Sequence, residues 1–514
     1  MKKSLLMTTT LVAAFSATNV CAEDWAISSK ETITDELISR DNVTVATDGN
    51  ITVSGNNSGI ISNGNFTMED GSLTASSNGG SADTGVFVRG ENSSVTIKNG
   101  TINLTEARIA KGEEDTDTTG DVNISGGKIT LNNQAYIEMY DTNTGSVNLS
   151  GGELNINDNS GILLDGANNF TMTGGTLTAT SNGNSADTGV FVKGDGADVN
   201  IQGGDINLTD SRIYKGNDTA TSGDINISGG NITLNKNAYI EMRKENTGNV
   251  NMTGGKLVMN ENSGLLLNTN DNQEIDGNAI KFIVNGDDAT IIANGNNQIS
   301  GDIDFTKGTI TVANGASLTS GDIAMNSENT KIDLSGKLDT NVSGSGNLCF
   351  KNSAANISGN VTGSNLTFEA DHSLSKAIGG TISNITALNV RKGTLTYDKD
   401  TGSIGNVSVA GGAGLDIGTN KLTATTVDFA DNSTLGLKVA SADNYGQINA
   451  NTINIGNDTT MKVTLDSGVV ANGETKDFNF LQGTVTGDFT NKIADNNRYD
   501  ISFEDGSFKI TGTA

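Results

Sequence analysis

The residues best equipped for chemistry in this 514-residue chain are few and scattered. His372, in the segment ADHSL, is the only histidine, and a nucleophilic triad or a multi-histidine metal site needs partners that it lacks. The acidic run from Gly112 to Asp121, GEEDTDTTGD, offers five carboxylates that suit calcium, but its repeat counterpart GNDTATSGD, from Gly216 to Asp224, keeps two. A solvated loop is the expectation there. GGAGLD, Gly411 to Asp416, echoes a calcium-binding nonapeptide, yet it occurs once, and such sites are shared between successive repeats, so it reads as a turn. Cys349, between Leu348 and Phe350, fits an ordinary strand position. These residues point to no catalytic site, no metal and no cofactor.

Binding chemistry is better represented than catalysis. Arg and aromatic residues dominate binding hot spots, and a set of them recurs at matching places: Phe87, Arg108, Tyr136, Glu138 and Leu163, then Phe191, Arg212, Tyr214, Tyr239, Glu241 and Leu266. If Ile137 and Met139 point into a core, Tyr136 and Glu138 point out, and stacked repeats align the others beside them. The result is a candidate binding strip. Two alternatives stand beside it: loops cover the strip, or Phe87 and Phe191 turn inward.

The elements that would position such a strip are set by repetition. NFTMEDGSLTASSNGGSADTGVFVRG, from Asn65, returns 104 residues later as NFTMTGGTLTATSNGNSADTGVFVKG, and AYIEM recurs at Ala135 and Ala238. Each large unit holds four smaller ones, opening at Phe66, Val95, Val122 and Val147 and again at Phe170, Val199, Ile225 and Val250. Spacings of 23 to 29 residues are too short for domains and match the coils of a solenoid. In the coil from Val122 to Ser146, Val122 and Ile124, Ile129 and Leu131, and Ile137 and Met139 each flank a polar residue, which predicts three short strands with one apolar face inward. Gly126-Gly127 supplies the bend between the first two strands. Outward Asn123, Asn148, Asn200, Thr130 and Thr233 predict Asn/Thr ladders that stabilise stacking. An ice-binding face would need Thr-x-Thr on every coil, which this alternation does not supply. The fold expected is all-β: a right-handed parallel β-helix of about 20 coils.

Composition agrees with that architecture. Aromatic residues are 4% and hydrophobic residues 34%, but 65 glycines and regular alternation separate the chain from a disordered polymer. Proline, the main interrupter of backbone ladders, is absent. The net charge of -28 disfavours nucleic acid as a partner. Lys2 and Lys3 precede an uncharged stretch, Leu5 to Phe15, and small residues at Val20, Cys21 and Ala22, which reads as an export signal cleaved after Ala22. Cleavage would leave Cys349 alone, so packing must replace disulfides. No later apolar run has the length of a transmembrane segment.

Near the C-terminus, VSVAGGAGLDI, VDFADNSTLGLKV and INIGNDTTMKVTL lead into DFNFLQGTVTGDF and YDISFEDGSFKIT. This succession resembles the end of pertactin-like autotransporter passenger domains, most closely over Gly405 to Thr511. The resemblance implies a Gram-negative surface protein exported by Sec, carried across the outer membrane through a β-barrel, and folded as a β-helix. The chain stops at Ala514, so the expectation is a translocator on another chain, or none. The expected organisation is a signal peptide over 1–22, a cap over 23–42, regular coils over 43–271, a less regular helix over 272–404 and the passenger-type segment over 405–514. The expected role is a secreted or cell-surface adhesin, not an enzyme, with an extracellular glycan or protein as partner. A β-helical polysaccharide lyase or hydrolase, which would need clustered Asp/Glu and a basic residue, is the alternative.

Overall fold

The structure, a computed structural model, describes residues 23–79, 83–183, 187–270, 274–277, 279–504 and 507–513. The export signal read over 1–22 lies outside the described residues. In the coil at Val122 the three strands are Val122–Ile124, Lys128–Asn132 and Tyr136–Met139. Their six alternating apolar side chains are buried. A fully buried aliphatic side chain contributes about 1.5–3 kcal/mol, but a single coil has nothing to bury it against. Stacking solves this.

On the first face Val122–Ile124 pairs in parallel with Val95–Ile97 on one side and Val147–Leu149 on the other. Lys128–Asn132 and Tyr136–Met139 do the same on the second and third faces. The third face is a sheet of fourteen strands, continued further along the rod by a sheet of six, so the described residues form twenty coils. At about 4.8 Å per coil its length is about 90 Å. This is the expected parallel β-helix.

Side chains of one type line up along the rod because the register is one to one. Outward on the first face run Thr67, Thr96, Asn123, Asn148, Thr171, Asn200, Asn226 and Asn251. Outward on the second face run Thr74, Asn103, Thr130, Asn155, Thr178, Asn207 and Thr233. Beside the latter lies a column from Ser76 through Thr105, Asn132, Asn157, Thr180 and Thr209 to Asn235 and Asn260. Amide groups bond along these columns, as in Asn148 to Asn123 at 2.9 Å and Asn251 to Asn226 at 3.0 Å.

The bend between the first two faces of the regular coils is built on glycine. Gly152 has φ +79, and a Cβ there would sit 2.6 Å from the carbonyl carbon of Gly126 in the coil before it. A left-handed alanine costs about 1–2 kcal/mol before any clash. Gly152→Ala is therefore expected to lower stability by about 2 kcal/mol or more, read as a lower urea midpoint.

Residues 23–42, read as a cap, form a coil of their own, with strands Trp25–Ile27, Lys30–Thr34 and Leu37–Arg40 paired to the next coil. Over 272–404 the coils shorten, with first-face strands opening at Ile303, Ile323, Val342 and Val361. At the other end Thr475–Phe478, Ser507–Gly512 and Tyr499–Glu504 make a small antiparallel sheet. Phe478 and Phe480 stack in parallel planes at 5.7 Å, and Phe508 packs on Phe480 at 5.4 Å, closing the core with aromatic rings.

Candidate functional site

All eleven residues of the strip lie on the third face, within one stack of coils. One column runs Phe87, Ala110, Glu138, Leu163, Phe191, Tyr214, Glu241 and Leu266. The column beside it runs Gly85, Arg108, Tyr136, Gly161, Gly189, Arg212, Tyr239 and Gly264. Gly161 makes room for a large neighbour, since a Cβ there would come within 3.1 Å of the Phe191 ring, and Gly85, Gly189 and Gly264 let the backbone of the next coil approach closely.

The exposure expected for the strip is found only in part. Phe87 is 6% exposed, Glu138 2%, Arg212 4% and Glu241 0%, while Arg108, Tyr136, Leu163, Phe191, Tyr214, Tyr239 and Leu266 are half-buried. The side chains cover one another. The Arg108 guanidinium pairs with Glu138, and Arg212 pairs with Glu241. Thr269 donates its hydroxyl to Glu241 Oε1 at 2.8 Å. Burial pushes the Glu138 carboxyl above the usual carboxylate range, against the pull of Arg108. Burial likewise holds the Tyr214 phenol well above its ordinary value. The Tyr136 hydroxyl donates to the Asn159 carbonyl at 2.9 Å, and the Phe191 and Tyr214 rings lie 6.2 Å apart. The charges of this face thus pair with one another, and its Tyr136, Leu163, Phe191, Tyr214, Tyr239 and Leu266 side chains are partly exposed.

Two residues on the opposite side of the same strands escaped the sequence reading. Lys111 and Lys215 follow Arg108 and Arg212 by three positions and so point into the core, between Val88 and Met139 and between Val192 and Met242. Both are fully buried. The Lys111 ammonium donates to the Gly90 carbonyl at 3.4 Å and the Lys215 ammonium to the Gly194 carbonyl at 3.0 Å. Burial lowers each pKa to about 8; around Lys215 it acts against the pull of Asp198, Asp195 and Asp224. The repeated spacing in RIAK and RIYK carried the signal, since three residues along a strand reverses the face.

His372 is fixed by the backbone. Its Nδ1 accepts from the Ser373 N–H at 2.9 Å, its Nε2 lies 2.7 Å from the Ala355 carbonyl, and its ring stands edge-on to the stacked Phe350 and Phe368. Cys349 faces outward between Asp333 and Thr367 but is buried, and burial raises its thiol pKa. In the acidic loop Glu113 lies 3.6 Å from Arg89. Among the described residues no three His, Cys, Asp or Glu side chains gather as a metal site, and no helix is long and apolar enough to cross a membrane. No known protein family matches the chain, and no curated protein is detectably similar to it.

Proposed function

We propose that this protein is a non-catalytic adhesin-like β-helical passenger, exported by Sec with cleavage after Ala22, secreted or held at the surface of a Gram-negative cell. The observation that carries the reading is the parallel stacking of twenty coils among the described residues, in one-to-one register over most of its length, which repeats outward side chains along a flank of about 90 Å. A surface of that kind engages a ligand at many equivalent points, so weak single contacts add to useful avidity. His372, tied at both ring nitrogens to the backbone, serves packing. The C-terminal succession of Thr- and Gly-rich coils closed by an aromatic antiparallel sheet supports a passenger of the autotransporter type.

The test is a binding screen of the purified chain against extracellular-matrix proteins and arrayed glycans, run alongside assays for polysaccharide cleavage. Saturable binding to a surface molecule, without new reducing ends or unsaturated products, is expected. Depolymerisation of a polysaccharide would overturn the reading and assign the fold to an enzyme.

A further inference from the structure

On the second face two adjacent columns hold only Asn, Thr and Ser, from Thr74 to Thr233 across seven consecutive coils and from Ser76 to Asn260 across eight, before Val258 ends the first. The chain carries 60 acidic and 32 basic residues, yet none stands in either column. Charge resumes two residues away at the bend, where Lys128 and Glu153 pair at 3.1 Å and Asn155 of the column donates to Glu153 Oε1 at 2.7 Å. The columns are partly or fully exposed and extend about 30 Å along the rod.

Their side chains are held in place before any ligand arrives. Asn157 donates to Asn132 at 3.0 Å, and Asn260 to Asn235 at 2.8 Å. An amide has two donor hydrogens and two acceptor lone pairs, so a bond along the ladder leaves donor and acceptor capacity facing outward. Ordering already present in the free protein does not have to be supplied on binding.

We propose that this face binds an uncharged, extended β-linked polysaccharide lying along the rod axis. Sugar hydroxyls and acetamido groups are donors and acceptors of the same kind as the Asn and Thr groups. The coil spacing of about 4.8 Å is close to the advance of one ring in such a chain. A neutral face is the complement of a neutral polymer, because a charged side chain pressed against it would lose water without gaining a counter-ion. The proposal rests on the adhesin reading and places its ligand on the second face, away from the aromatic strip.

The experiment is co-sedimentation of the purified chain with insoluble cellulose and with chitin. It compares wild type with Thr130→Lys/Thr178→Lys/Thr233→Lys, with the near-isosteric Thr130→Val/Thr178→Val/Thr233→Val, and with Leu163→Lys in the strip. The substituted threonines sit on alternate coils, so the new charges are separated and the ladder hydrogen bonds of the asparagines are untouched. Expected is binding to at least one polymer, weakened about ten-fold or more by both triple variants at unchanged Tm and retained by Leu163→Lys. Binding kept by both triple variants, or absent with both polymers, overturns the proposal. Loss in Leu163→Lys alone would move the ligand to the strip and leave the adhesin reading standing, whereas failure of the whole surface-molecule screen would remove that reading too. Growth inhibition of ice that the triple variants abolish, without polymer binding, would reassign the face to ice.

Discussion

Glu241→Ala is expected to lower the stability of the solenoid by about 3–5 kcal/mol, because it removes the buried carboxylate that pairs with the buried Arg212 guanidinium. Arg212 is 4% exposed and its carboxylate partner fully buried, so water cannot replace the lost charge. Arg212→Met/Glu241→Leu, which removes both charges and keeps the volume, is expected to stay within about 2 kcal/mol of wild type or to exceed it. Urea unfolding followed by circular dichroism reads both variants. Equal losses in the single and double variants would show that packing, not charge, governs the site.

Lys111→Met and Lys215→Met are expected to act in the opposite direction. Each lysine is buried with its ammonium donating to a backbone carbonyl, and Lys215 also lies within the pull of Asp198, Asp195 and Asp224. A pKa near 8 in the folded state, against an ordinary value of 10.5, means the unfolded chain binds more protons between those two values. Stability therefore rises with pH from about 8 to about 10.5, and below 8 the full cost of the buried charge is present. Methionine removes that cost, and each substitution is expected to add about 1–3 kcal/mol at pH 7. The gain should shrink as pH rises toward 10.5. Thermal unfolding at pH 7 and pH 10 measures it; a destabilised variant at pH 7 would show that the ammonium holds its coil together.

The coil pattern was legible because inward positions are almost all Val, Ile, Leu, Met or Phe, and a glycine pair marks the bend. Val122, Ile124, Ile129 and Leu131 were readable from alternation alone. The third face was harder. Its four-residue strands carry only two inward positions, and in RIAK and RIYK one of them is lysine, which hydropathy assigns to solvent. Parity would have corrected this, since Arg108 outward forces Lys111 inward. The alignment of Phe87, Arg108, Tyr136 and Glu138 followed from repeat spacing, but their burial did not. It depends on Gly161 leaving space for the Phe191 ring, and on each guanidinium reaching a carboxylate on the next coil. Residues 23–42 lack the Gly-Gly bend of the later repeats, which hid the fact that they build a coil.

Distances between spin labels along the outward second-face column test the account most directly. Thr52 and Thr233 are separated by seven coils, as are Thr233 and Asn389, although the sequence separation is 181 positions for the first pair and 156 for the second. Pulsed electron–electron resonance should give two narrow distributions of equal mean, each near about 34 Å. Unequal means, or broad distributions in either pair, would contradict the one-to-one stacking from which the flank and its binding face are derived.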